Sequence, residues 1–103
     1  MSRGPDAATL LKRALERHGD AAGLEIAVRM AETTRWASAT FAGARHQITL
    51  TLRDDAFGQA WLGALPDADL PLRGHLVADL AVIAITRRDA RSIATVEALT
   101  VET

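Results

Sequence analysis

The feature that most constrains the fold is a nearly continuous apolar stretch, "LRGHLVADLAVIAIT", at residues 72–86. A second apolar stretch, residues 91–102, follows the polar tip "RRDAR". Both stretches are rich in β-branched residues, which favour strands over helices. The sequence therefore predicts two long strands, residues 72–87 and 91–102, joined by a hairpin.

Two polar residues, His75 and Asp79, interrupt the first of these strands. In a helix they would be neighbours four residues apart, but in a strand they share a face about 13 Å apart and cannot touch. The strand reading therefore excludes a catalytic pair made of these two residues. A buried carboxylate needs a partner, so an ion pair of Asp79 with Arg29, Arg35 or Arg53 is the leading hypothesis. A catalytic role and simple exposure are the alternatives.

Both faces of the first long strand are apolar. The predicted alternation places Leu76, Ala78, Leu80, Val82 and Ala84 on one face and Val77, Ala81, Ile83 and Ile85 on the other. Helices on one side of a sheet cover only one of these faces, and large exposed apolar patches usually mark interfaces. We therefore expect a homodimer formed by sheet-on-sheet packing. The candidate interface residues are Ala27, Ala31, Thr49, Thr51, Ala81 and Ile83.

The rest of the chain shows helical and alternating patterns in turn. A helix is predicted from Asp6 to about Gly19, and three strands follow at "LEIAVRMA", "RWASATF" and "HQITLTLR". Asp54 and Asp55 precede a second short helix, "AFGQAWLGAL". The predicted fold is α+β in the order α-β-β-β-α-β-β, with one antiparallel sheet of about five strands and two helices packed on one face. Residues 1–103 are expected to form a single domain.

That order of elements resembles the secretion-chaperone-like fold, in which a small α+β protomer pairs into a dimer. The resemblance lies in the topology and implies a homodimer that binds a protein partner or aids assembly.

Composition narrows the range of function classes. The 103 residues carry a net charge of −1 and include no cysteine. The nearly neutral charge gives no sign of a nucleic-acid or membrane partner. The absence of cysteine excludes disulfides and thiolate chemistry. Arginine supplies every basic residue except Lys12, which indicates a bacterial source. With no signal peptide and no apolar run long enough to span a bilayer, a soluble cytoplasmic protein is expected.

Five residues are candidates for a ligand-binding site: His75, Asp79, Arg45, His46 and Trp36. Each also has a structural interpretation, namely a strand-end polar group, a charged turn or a core aromatic residue. Trp61 is interpreted as a core anchor of the second helix, and His18 as a charge that complements the end of the first. The three histidines lack the spacing of a zinc site, and no catalytic, phosphate-binding or calcium-binding motif is present, so we expect no metal and no cofactor.

Two function classes follow. The first is a small non-enzymatic homodimeric module that binds a protein partner or aids assembly. The alternative is a small-molecule-binding protein or small enzyme, with a site at the dimer interface or the sheet mouth. Convergence of three or more of the five candidate side chains on one cavity would favour the alternative.

Overall fold

The computed structural model describes residues 6–103, which form two α-helices, a short 3-10 turn and four strands. In chain order these are α1 (Ala7–Ala21), β1 (Ala27–Ala37), β2 (Ala42–Arg53), α2 (Ala56–Ala64), the turn Leu65–Asp67, β3 (His75–Arg88) and β4 (Arg91–Glu102). The strands form one antiparallel sheet in the order β1-β2-β4-β3. The predicted α+β class is confirmed, with four strands in place of about five.

Helix α1 begins and ends at residues suited to those positions. The side chain of Asp6 accepts a hydrogen bond from the Thr9 amide at 2.9 Å, which caps the first turn. The helix runs two residues past Gly19, the predicted end, because Gly23 supplies the left-handed conformation that terminates it, with φ 77°. Gly19 instead lies inside the helix, where a larger side chain would collide with Ile26.

The missing fifth strand results from a bulge in β1. Pairing between β1 and β2 shifts at Ala31, between Met30 and Glu32. The bulge reverses the alternation of side chains, so residues 32–34 resemble a link although they continue the strand. The two strands predicted here are therefore one continuous strand.

Strand β3 contains two such bulges, at Ala78 and Ile83. They overturn the predicted division of this strand into two faces, because each extra residue shifts the alternation by one position. Four apolar residues face the helices: Val77, Leu80, Val82 and Ile85. The opposite side carries Leu76, Asp79, Ala81 and Ala84. His75 and Asp79 consequently point to opposite sides of the sheet, so the prediction that they share a face was wrong.

One core lies between the helices and a single face of the sheet. Its largest fully buried members include Leu11 and Leu15 of α1 and Ile48, Leu50 and Leu52 of β2. Helix α2 contributes Trp61, Leu62 and the adjoining Leu65. Both helices therefore pack on one face of the sheet, as predicted. No helix within residues 6–103 combines the length and apolarity needed to cross a bilayer.

The two aspartates before α2 have different roles. Asp55 caps the helix by accepting a hydrogen bond from the Gly58 amide at 2.8 Å. Asp54 instead accepts hydrogen bonds from Gln59, Arg87 and Ser92, each at 3.1 Å. These bonds, led by that from Gln59, hold the pKa of Asp54 below its ordinary value. Asp54 thus links the start of α2 to the β3–β4 hairpin.

Candidate functional site

The five predicted site residues separate onto two sides of the sheet. Arg45, Asp79 and Trp36 belong to the face away from the helices, which we call the open face. His46 and His75 belong to the helix side. A hollow of about 300 Å³ on the open face is lined by Arg45, His46 and Asp79, but the ring of His46 points away from it and contacts Thr33 and Thr100 on the helix side. Convergence of three candidates is therefore not observed.

Asp79 has no ion-pair partner among residues 6–103, where the one ion pair joins Arg87 to Asp54. The predicted pairing of Asp79 with an arginine was wrong. The reason is its position on an edge strand, where it is exposed and water solvates the carboxylate.

Cross-strand pairing arranges the open-face residues in rows that run across the sheet. The basic row, next to the β3–β4 hairpin, consists of Arg53, Arg91 and Arg88. Two central rows of mostly small or β-branched residues follow: Ala27, Thr51, Ile93 and Thr86, then Arg29, Thr49, Thr95 and Ala84. Next comes the acidic row, Glu32, Gln47, Glu97 and Ala81. Six residues separate the basic row from the acidic row along β4, or about 20 Å.

The far end of the open face is apolar. Trp36 of β1 pairs with Gly43 of β2, and its ring lies close to this glycine. Val101 of β4 and Leu76 of β3 continue the same row. The side chain of Leu76 is 60% exposed. Between the acidic row and this end lies a row of mixed charge, Thr34, Arg45, Leu99 and Asp79. The open face therefore has a basic end, an acidic row in the middle, a row with one charge of each sign, and an apolar end.

The candidate dimer-interface residues fall mainly on this face. Ala27, Thr49 and Thr51 lie in the central rows, and Ala81 lies in the acidic row. Ala31 and Ile83 occupy bulges and stand outside the rows.

On the helix side, the buried ring of His46 joins two strands. Its Nε2 is 2.9 Å from Thr100 Oγ1, and its Nδ1 is 3.1 Å from Thr33 Oγ1. The Thr100 hydroxyl lies 3.4 Å from the Ala44 carbonyl, and when it donates to that oxygen it accepts from Nε2–H of His46. The Thr33 hydroxyl then donates to Nδ1. Burial lowers the pKa of His46, opposed by the charge of Asp6 and assisted by that of His75, which favours this neutral ring.

The neutral ring predicts that the protein loses stability as the pH falls below about 6.5, the ordinary histidine value. Because the folded-state pKa of His46 is lowered, the unfolded chain takes up the proton first, and this uptake favours unfolding. The loss begins near that pH and ends below the folded-state pKa, with a slope of at most about 1.4 kcal/mol per pH unit. Denaturant titrations of wild type and His46→Gln, at a mildly alkaline and a mildly acidic pH, should show a larger decline in wild type than in the variant. An equal decline in both proteins would contradict the assignment.

A cavity of about 490 Å³ adjoins this ring at the end of the sheet. We call it the helix-side cavity. Its polar lining consists of Asp6, Thr33, Arg35, Arg73, His75, Thr100 and Glu102. His75 is the one ligand candidate from the sequence that lines it. The other polar residues of the lining were not predicted as site residues. They are brought together by the register of distant strands, which no local pattern in the sequence reveals.

Within residues 6–103, no group of three or more histidine, aspartate or glutamate side chains could hold a metal ion. The helix-side cavity and the open face are two surfaces of the described residues with a distinct chemical character. No protein-family model matches the chain, and no curated protein matches its sequence.

Proposed function

We propose that the protein is a non-enzymatic module that dimerises through the open face and in this form binds a protein partner or aids assembly. The observation that carries the proposal is the charge layout of that face. Three arginines lie side by side in the basic row, although like charges directly opposite each other destabilise a sheet. An anionic partner would turn this repulsion into attraction.

A second copy supplies that partner through a two-fold axis. We place the two-fold axis between the two stacked sheets, parallel to the rows and midway between the two central rows. Each strand then lies over the same strand of the other copy, and the order of the rows is reversed. Glu97 of each copy then lies over Arg91 of the other, flanked by Arg53 and Arg88. The contact is self-complementary and occurs twice.

Most residues near the axis suit close packing of two sheets, and the long Arg29 lies on the edge strand β1, over Ala27 of the other copy. Thr49 and Thr51 of β2 and Ala84 and Thr86 of β3 are short, which permits the separation of about 10 Å that stacked sheets require. The overlap is about 20 Å long and four strands wide, a footprint of roughly 400 Å² per copy. The total of about 800 Å² is smaller than that of stable specific interfaces, so the dimer should be weak and should dissociate on dilution.

The apolar end, with Trp36, Leu76 and Val101, lies outside this overlap. Exposed apolar surface of this kind is typical of sites that contact other proteins. We assign this end of the face to a protein partner.

Charge exchange tests the arrangement. Arg91→Glu and Glu97→Arg should each weaken the dimer by at least about tenfold, because each introduces a like-charge contact at two symmetric places. The double variant Arg91→Glu/Glu97→Arg should restore the dissociation constant to within a few-fold of wild type. Both residues are exposed, so the protomers should remain folded.

Sedimentation velocity at several concentrations gives the three dissociation constants. Arg17→Glu, on the exposed side of α1, is the matched control and should leave the dimer unchanged. Single variants that associate as wild type does would overturn the interface, and so would a double variant as weak as the two singles.

A further inference from the structure

The helix-side cavity collects four charged side chains from four separate parts of the chain. Asp6 precedes α1, Arg35 belongs to β1, Arg73 to the loop before β3, and Glu102 to β4. None of the four forms an ion pair within the described part of the chain. All four line the cavity without direct contact between opposite charges, and their formal charges sum to zero.

Two further groups in the cavity are specialised. The Nδ1 atom of His75 is buried yet has no hydrogen-bond partner in the described residues, which is unusual for a buried polar atom. The Thr33 hydroxyl, in contrast, already has a hydrogen-bond partner, because it donates its proton to Nδ1 of His46. The Thr33 oxygen therefore offers the cavity only its lone pairs and can accept a hydrogen bond but not donate one.

We infer that the helix-side cavity binds a small zwitterion of the α-amino-acid type, with its carboxylate at Arg35 and Arg73 and its ammonium at Thr33, Asp6 and Glu102. A guanidinium group matches a carboxylate in geometry and charge, and an ammonium group requires acceptors. A ligand with a single charge would leave the two side chains of its own sign repelling it. The volume of about 490 Å³ is within the range of small-molecule sites.

The buried pair His46 and Thr100 sets the polarity of this site. Thr100 is fully buried and accepts from Nε2–H of His46, which leaves Nδ1 as the acceptor for Thr33. His46 and Thr100 are positioning residues, since they act through Thr33. Thr33→Val should abolish the site's acceptor while preserving its shape, and Thr33→Ser should restore binding.

The site is tested with the full chain by recording amide NMR spectra during titration with each of the twenty standard L-amino acids. At least one should shift the signals of Thr33, Gly74 and His75 at millimolar concentration. For that amino acid, the corresponding amine without the carboxylate and the corresponding acid without the amino group should each bind at least about tenfold more weakly. Arg73→Gln should abolish the shifts, and Arg17→Gln, outside the cavity, should retain them.

Three results would overturn the inference: no amino acid shifts the cavity signals, the acid alone binds as tightly as the amino acid, or Thr33→Val binds as wild type does. None of these outcomes depends on the dimer. The open-face charge variants should bind the amino acid as wild type does, so the two proposals can fail separately.

Discussion

Replacement of Gly43 with alanine is expected to lower the free energy of unfolding by about 3 kcal/mol. A Cβ atom at this position would collide with the backbone oxygen of Thr100 and approach Cζ2 of Trp36 to 2.8 Å. The Thr100 backbone cannot yield easily, because its strand pairs on both sides and its side chain bonds to His46. The clash therefore has to distort either the sheet or the Trp36 ring.

Gly63→Ala is the matched control for this substitution. Gly63 lies on the exposed side of α2, and a Cβ there would meet no atom within 4 Å. Alanine is the better helix former, so this variant should be more stable than wild type by about 0.5–1 kcal/mol. Chemical denaturation of both variants measures the two effects with opposite signs. A Gly43→Ala protein as stable as wild type would contradict the close packing of β2 against β4.

Trp61→Ala should cost about 3–5 kcal/mol of stability, because it removes the largest side chain of the core. The side chain is 7% exposed and packs in the core between α2 and the sheet. Its indole N–H also donates to Nδ1 of His18 at 2.9 Å, which joins the two helices. Truncation would remove the packing and leave the His18 acceptor without its protein partner.

Trp61→Phe separates these two contributions. Phenylalanine retains most of the ring volume and loses the hydrogen bond, so its cost should be about 1–2 kcal/mol. Denaturant unfolding of both variants, followed by circular dichroism, gives the comparison. If alanine cost no more than phenylalanine, Trp61 would not be a core residue and the placement of α2 on the sheet would be wrong.

Regular periodicity made much of the fold predictable. Strand β4 and residues 44–53 of β2 alternate without interruption, and their buried residues match the pattern in the sequence. The interpretation of Trp61 as a core anchor was confirmed for the same reason. His18 lies in the last turn of α1, as expected, and its Nδ1 also accepts a hydrogen bond from Trp61, which was not predicted.

The errors in the number and faces of the strands share one physical cause. Single-residue bulges at Ala31, Ala78 and Ile83 reverse which side chains face the core, and a sequence pattern with period two cannot locate them. The bulge at Ala31 made one strand look like two. Those in β3 placed His75 and Asp79 on opposite sides of the sheet.

The surfaces were harder to predict than the fold. The sequence indicated that small residues such as Thr49 and Thr51 would face away from the helices, and they do. The row of arginines depends on the register between three strands, and the helix-side cavity joins residues as distant as Asp6 and Glu102. Such long-range alignments appear only once the strand order is known.

The solution mass of the full chain, measured by light scattering across a dilution series, is the decisive measurement for the open-face dimer. We expect twice the protomer mass of 11.0 kDa at high concentration, with dissociation on dilution that begins sooner at high salt because ionic contacts are screened. A mass of 11.0 kDa at every concentration would contradict the dimer, and a dimer that salt does not affect would contradict its ionic contacts.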